Sequence, residues 1–387
     1  MDLEYTQRLA KIETELERWL PKNPDAAWTQ QVFAGENVFA GNETDTAGFS
    51  LPYSSITNID TDTIQFLIAP LRELLFRGGK RWRPLLMTLV CETFGGGDSA
   101  VPLSPVVEFS HNASLIHDDI EDESDERRGK PAVHKIYGVD TAINSGSFFY
   151  FLASCCIQTC ELSTNPAEQS YRLQNKNEQT SDAKKSKEHI YNLWTECMRK
   201  LHLGQAMDIN WHRNVTFIPE VNEYLAMSRF KTGSLARFAA ELGVYMAGAP
   251  PEAAQILGNA ADMMGVGFQI LDDVKNLTTG IPGKKRGDDI VEGKKSLPVL
   301  LYMHKYPEKR ERVFYCFNTA RQYGGSIPEI DELINIFAAS GVFEEAEEKG
   351  RSFLKKTQDV FSSVEFSGFT VNKNSFNLLD NFIKLIS

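Results

Sequence analysis

From Val106 to Ile120, apolar residues return every third or fourth position (Val106, Phe109, Ala113, Ile116 and Ile120). The same rhythm runs through Ile256, Ala260, Met263, Gly267, Ile270, Val274 and Leu277. That is the α-helical repeat, and it commits both segments to helices with one face in a core. Each helix also carries a polar stripe beside its apolar face: His111, Leu115, Asp118 and Asp122 on the first, Gln269, Asp272 and Asn276 on the second. A polar stripe bordering a buried face marks where a cavity opens. Helical periodicity dominates from about residue 60 onward, so the predicted fold class is all-α.

A chain of 387 residues can bury a sizeable helical core. Residues 1–58 read as an N-terminal amphipathic helix (Leu3, Leu9, Ile12, Leu16, Leu20) followed by an irregular arm rich in Gly, Asn, Thr and Ser. Residues 59–387 read as a single all-helical domain interrupted at 163–188 by a polar insertion with few residues to bury.

The formal charge of −11 excludes a nucleic-acid binder, which needs a basic surface. An anionic ligand must therefore be met locally, by clustered cations or by carboxylates carrying metal. The six cysteines (Cys91, Cys155, Cys156, Cys160, Cys197, Cys316) form no C-x-x-C and read as free thiols of a reducing compartment. The first twenty residues are charged throughout, unlike a signal peptide. Thr141–Cys160 is uncharged but interrupted by Asn144, Ser145, Gly146, Ser147 and Gln158, which predicts a buried helix rather than a membrane span. The expected location is cytoplasmic, with no transmembrane segment.

The chemistry concentrates in two acidic runs, Asp118-Asp119-Ile120-Glu121-Asp122 and Asp272-Asp273-Val274-Lys275-Asn276. Side chains at i and i+4 share one side of a helix, so Asp118 with Asp122, and Asp272 with Asn276, can hold one ion. Oxygen donors without His or Cys favour Mg²⁺, which commonly binds through one or two carboxylates plus substrate phosphates. An acidic run alone is often only a solvated face; two runs beside apolar faces ask for more.

Cations gather nearby. Gly78-Gly79-Lys80-Arg81-Trp82-Arg83-Pro84 places lysine and arginine in a flexible loop before a helix, and arginine grips phosphate bidentately. Arg127-Arg128-Gly129 follows the first run, and Lys284-Lys285 and Lys294-Lys295 follow the second. Lys231-Thr232-Gly233 interrupts an apolar helix, where a kink would aim Lys231 and the Thr232 carbonyl into a cavity. The nucleotide P-loop spacing is absent. His111 shares the stripe of Asp118, whereas His117 and His134 show no partner pattern, and no nucleophilic Ser or Cys arrangement stands out.

In order and spacing, Gly-Gly-Lys80-Arg81-x-Arg83-Pro, the first aspartate run with Arg127-Arg128-Gly, Gly204-Gln205-x-x-Asp208, Lys231-Thr232-Gly233 and Gly267-Phe-Gln269-x-x-Asp272-Asp273 resemble the trans-isoprenyl diphosphate synthases. The resemblance spans roughly Gly78 to Pro298. Around His111–Asp122, and in the Asn276 ending, it is most similar to the geranylgeranyl diphosphate synthases of eukaryotic type. It implies an isoprenoid synthase fold of antiparallel helices around a central catalytic cavity, usually a homodimer. It further implies Mg²⁺ on Asp118, Asp119, Asp122, Asp272 and Asp273, with Asn276 as a weaker or water-mediated contact. Arg127, Lys231, Gln269 and one of Lys284 or Lys285 would contact the allylic diphosphate, and Lys294 would approach it. Lys80, Arg83, His111 and Arg128 would bind isopentenyl diphosphate. Lys231, Thr232 and Gln269 would stabilise the carbocation.

Small Ala113 and Ser114, about one turn before Asp118, imply a product longer than fifteen carbons, with geranylgeranyl diphosphate first and a longer polyprenyl diphosphate second. The stop lies deeper or on a partner helix, with Phe148, Phe149 and Tyr150 as candidates that the sequence alone does not separate. A terpene cyclase would leave Lys80, Arg83 and Arg128 without purpose. A non-catalytic synthase subunit would be expected to lack part of an aspartate run.

Overall fold

The computed structural model describes residues 3–34, 60–159, 179–280, 285–324, 327–363 and 372–386. The arm expected up to residue 58 lies outside these from residue 35 onward, as do positions 163–178 of the insertion and Lys284. The polar stretch ends inside a long helix that begins at Gln179.

The described residues form helices α1 Leu3–Trp19, α2 Ala26–Thr29, α3 Thr61–Leu75, α4 Trp82–Thr93, α5 Ser104–Glu121, α6 Val133–Tyr137, α7 Val139–Thr159, α8 Gln179–Arg213 and α9 Val221–Ser228. A π-turn, Arg229–Gly233, leads into α10 Ser234–Met246. There follow α11 Pro251–Thr278, α12 Asp288–Glu292, α13 Leu297–Lys305, α14 Arg310–Tyr323, α15 Pro328–Ser340, α16 Val342–Ser362 and α17 Lys373–Ile386. Glu126–Arg127 and Lys130–Pro131 make the one small β-ribbon among the described residues. The molecule is all-α.

Two apolar clusters make the core. One joins α1, α3, α4, α5, α7 and α10, with Leu16, Leu71, Leu86, Phe109, Phe149 and Phe238 sealed from solvent. The other joins α13–α16 through Met303, Phe317, Leu333, Phe337 and Ala346. α11 belongs to both, contributing Leu257, Ala260 and Met264 to the first and Ile270, Val274 and Leu277 to the second.

Two expectations need correction. Ile256 is 45% exposed, because the buried stripe of α11 runs through Ala253, Leu257, Ala260 and Ala261, one residue further on. α7 is not buried all round: Val139, Ile143 and Phe151 face solvent, the last 69% exposed. Its opposite face packs on α5, with Phe149 against Phe109 at 4.6 Å between ring centroids.

α5 begins with Pro105 in its first turn, where a missing N–H costs nothing. It closes through Glu123 at φ +54°, with Ser124 N–H bonded to the Asp119 carbonyl at 2.8 Å. This Schellman-type ending places Asp118–Asp122 in the last turn.

Candidate active site

The π-turn is where sequence and packing meet most tightly. Ser234 N–H reaches back five residues to the Arg229 carbonyl. Three glycines let this turn approach its neighbours. A Cβ on Gly204 would lie 2.3 Å from Lys231 N, one on Gly265 2.5 Å from Gly233 Cα, and one on Gly233 2.3 Å from Asp262 Oδ1. The kink expected at Lys231–Gly233 is therefore a π-turn wedged between α8 and α11.

From it, Lys231 and Thr232 enter a cavity of about 490 Å³, within the range of small-molecule sites. Arg83 of α4 lines it, as do His111, Ser114, Leu115, Asp118 and Glu121 of α5. α11 adds Gln269, Asp272, Asp273 and Asn276, and the segment before α13 adds Lys294, Lys295 and Ser296.

Lys231 Nζ donates to Asp208 Oδ2 at 2.6 Å and Asp118 Oδ1 at 3.1 Å. Burial would drive the ammonium's proton off, but Asp118 and Asp208 override it and hold Lys231 charged well above its usual range. Asp208, buried yet beside Lys231, stays below the ordinary carboxylate pKa. Gln205 Nε2 donates to Asp118 Oδ1 (3.0 Å) and Glu121 Oε2 (2.6 Å). Lys294 Nζ bridges Asp122 (2.6 Å) and Glu292 (2.5 Å).

Thr232 Oγ1 of the π-turn donates to Gln269 Oε1 on α11 (2.7 Å), and Gln269 Nε2 donates to Asp273 Oδ1 (2.9 Å). Asp273 Oδ2 accepts from Tyr224 OH (2.6 Å) and Leu297 N–H (3.2 Å). Burial still pushes Asp273 up to about 6 against these donors. Arg83 is pressed down to about 10 by burial and stays charged at neutral pH, its guanidinium 4.2 Å from the centre of the Trp82 ring. Burial, reinforced by Arg83 and Arg128, keeps His111 neutral.

Not every expected residue reaches this cavity. Asp119 is fully buried, turned about 100° from Asp118 around α5 and paired there with Arg127. Asp122 caps α5 and borders a separate acidic recess with Lys285 and Asp288. Arg127 spans Asp118 and Asp119 rather than lining the cavity. Arg128 is spent on the backbone of Leu74 and Gly78, at 3.1 and 2.6 Å, which holds the glycine loop. Lys80 is exposed on that loop. Ala113 is sealed in the core, and only Ser114 of that pair touches the cavity. Asn276 lines the cavity but its Oδ1 accepts the Asp289 N–H at 3.2 Å.

Sequence reasoning left Gln205, Asp208 and Tyr224 without a role. Gln205 and Asp208 stand three apart on one face of α8, a local signal that was available; Tyr224 carried none. Arg81 is structural: φ +47° and burial set its guanidinium on Glu108 (2.8 Å) and Glu13 (2.7 Å).

An all-α cavity that gathers two aspartate-bearing helices among lysines and arginines is the construction of an enzyme that handles diphosphate esters. The polyprenyl synthetase profile matches residues 64–334, and the chain belongs to that family. It is 31% identical over 315 residues to the geranylfarnesyl diphosphate synthase of Aeropyrum pernix, covering 80% of this chain and 91% of the relative. It is 34% identical over 268 residues to the short chain isoprenyl diphosphate synthase of Methanocaldococcus jannaschii, covering 68% and 74%. The fold matches the geranylgeranyl pyrophosphate synthase of Corynebacterium glutamicum, solved with isoprenyl diphosphate and magnesium, at TM-score 0.74 and 21% identity, over 99% of this chain and 98% of that one. The chain is thus a trans-prenyltransferase of isoprenoid synthase fold that condenses prenyl diphosphates. Among the described residues no helix is long and apolar enough to cross a membrane.

Proposed function

We propose that this enzyme is a Mg²⁺-dependent homodimer that joins isopentenyl diphosphate head to tail with an allylic diphosphate and releases geranylgeranyl diphosphate. One observation carries the reading: a single cavity holds Asp118 and Asp272, cations paired to carboxylates (Lys231, Lys294), and a further cationic group, Arg83 beside neutral His111. Two cationic groups fit two diphosphates, the requirement of a condensation.

The donors fit magnesium. Asp118 and Asp272, from the two aspartate runs, both line the cavity and offer carboxylate oxygens. A hard ion held by one or two carboxylates at a time, with phosphate oxygens and water, matches that arrangement. Asp118 and Asp272, which line the cavity, would hold it, and when bound it would neutralise the leaving diphosphate.

Lys231 and Lys294, released from their carboxylates, bind diphosphate oxygens. As the allylic C–O bond breaks, the Thr232–Gln269 dipole lies beside the carbocation. Arg83 and His111 hold isopentenyl diphosphate so that its double bond attacks that carbon. A proton then leaves to the released diphosphate, restoring an alkene.

Small Ser114 leaves room for a long tail. Tyr150, packed against His117 and His202 on the cavity wall, is the proposed stop. Phe149 is buried against Phe109 and Phe148 stacks on Phe33, so neither competes for that task. The name of the Aeropyrum pernix relative favours a geranylfarnesyl product as the second reading. Exposed Val139, Ile143 and Phe151 on α7, with Leu203 on α8, support a dimer face.

The test is incubation with Mg²⁺, isopentenyl diphosphate and each of dimethylallyl, geranyl and farnesyl diphosphate, followed by mass analysis. A twenty-carbon product is expected from all three. A product that stops at fifteen carbons or runs past twenty would refute the assignment. Asp118→Ala should abolish turnover with unchanged circular dichroism.

A further inference from the structure

His117 precedes Asp118 and belongs to neither aspartate run, yet the structure gives it a defined seat. Gly146 of α7 lies against its ring: a Cβ there would come within 3.0 Å of His117 Nε2 and 3.1 Å of Ile116 Cγ2. The imidazole settles in that close approach between α5 and α7. There it stacks on Tyr150, ring centroids 5.8 Å apart and planes at 27°. His202 packs on the same tyrosine at 5.4 Å, tilted by 53°. Ile143 O and Ser147 Oγ both lie 3.5 Å from His117 Nε2, the outer limit of hydrogen bonding, so ring stacking is the firmer contact.

All three rings line the cavity. A tyrosine hops between staggered rotamers unless its neighbours hold it, and a hop would open the wall that a growing tail meets. Aromatic contact on its face biases it toward one rotamer.

We infer that His117, seated against Gly146, is a positioning residue that holds Tyr150 across the cavity and thereby sets how far the product tail extends. This rests on the reading of Tyr150 as the stop. It assigns His117 no part in ionisation or condensation.

The experiment compares the product lengths made from farnesyl and isopentenyl diphosphates by wild type, His117→Ala, His117→Phe and Tyr150→Ala, with melting temperature followed in parallel. The share of product longer than twenty carbons is the readout, because a loss of folded enzyme lowers all products together and leaves the ratio unmoved. H117A should raise that share about two- to tenfold, the population change a lost ring contact allows. H117F should restore the wild-type ratio. Should H117A fail to fold, His117→Leu removes the ring face while keeping bulk between the helices. An unchanged ratio in H117A or H117L, with lengthening in Y150A, overturns the inference and leaves the stop in place. No lengthening in either overturns both. Lengthening in H117F as well would assign the effect to the ring nitrogen and overturn the stacking argument.

Discussion

Gly204→Ala separates geometry from stability in this site. The added methyl would sit 2.3 Å from Lys231 N and 2.8 Å from Lys231 Cα and Phe230 C. These are backbone atoms, and an ordinary contact needs about 3.5 Å, so α8 and the π-turn must part by about 1 Å. Overpacking of this kind costs about 1–3 kcal/mol, offset in part by the better helix propensity of alanine. A melting temperature lower by a few degrees is expected. Turnover should suffer far more. Lys231 reaches Asp208 and Asp118 at 2.6 and 3.1 Å from this turn, and a misplacement of about 1 Å costs on the order of 100-fold in rate. The control is Gly96→Ala, whose methyl would lie 2.5 Å from Cys91 Sγ and 2.8 Å from Ala247 Cα, away from the cavity. The assay is incorporation of labelled isopentenyl diphosphate beside thermal melts of both variants. G96A should melt early and retain turnover within about twofold, comparable destabilisation without displacement of Lys231. G204A retaining wild-type turnover, or G96A losing as much as G204A, would refute the argument that the π-turn positions Lys231.

Asp273→Asn gives a pH-dependent prediction. The folded carboxyl is pushed up to about 6, above its unfolded value, so its ionised form costs stability; the cost is absent below about pH 4 and complete above about pH 6. D273N relative to wild type should therefore look better at pH 8 than at pH 5 by about 1 kcal/mol in metal-free denaturant melts; an equal offset at both pH values would contradict the burial argument. Arg81→Met strands the buried Glu108 carboxylate and should destabilise by about 3–5 kcal/mol, lowering the melting temperature by roughly 10 °C; a change below 1 kcal/mol would show that water or Asn112 suffices.

The helices of the cavity were legible where their signals are local. Apolar repeats located α5 and α11, and i, i+4 spacing marked Asp118 with Asp122 and Asp272 with Asn276 as polar stripes beside a core. The break at Lys231–Gly233 showed as polarity inside an apolar run, and it stands as a π-turn. Two groupings implied by the family resemblance do not survive the packing. The resemblance grouped Asp118 with Asp119, although the fold packs the second into the core against Arg127. It gave Ala113 and Ser114 one task, although one is sealed and the other faces the cavity.

Tertiary structure decided which distant groups meet. Lys231 reaches Asp118 across 113 residues of chain, and Lys294 reaches Asp122 across 172. Which cation sits on which carboxylate depends on how closely helices approach, and here glycines on α8 and α11 and in the π-turn set that approach. A glycine's partner is not written in its own neighbourhood. The same holds for the seat of His117 on Gly146 and for the diversion of Arg128 to the backbone of Leu74 and Gly78. By itself the sequence determined the helices and the kinds of donor they carry, since both follow from a 3.6-residue repeat. The fold alone determined the partners, because they are chosen by packing between segments that local periodicity does not connect.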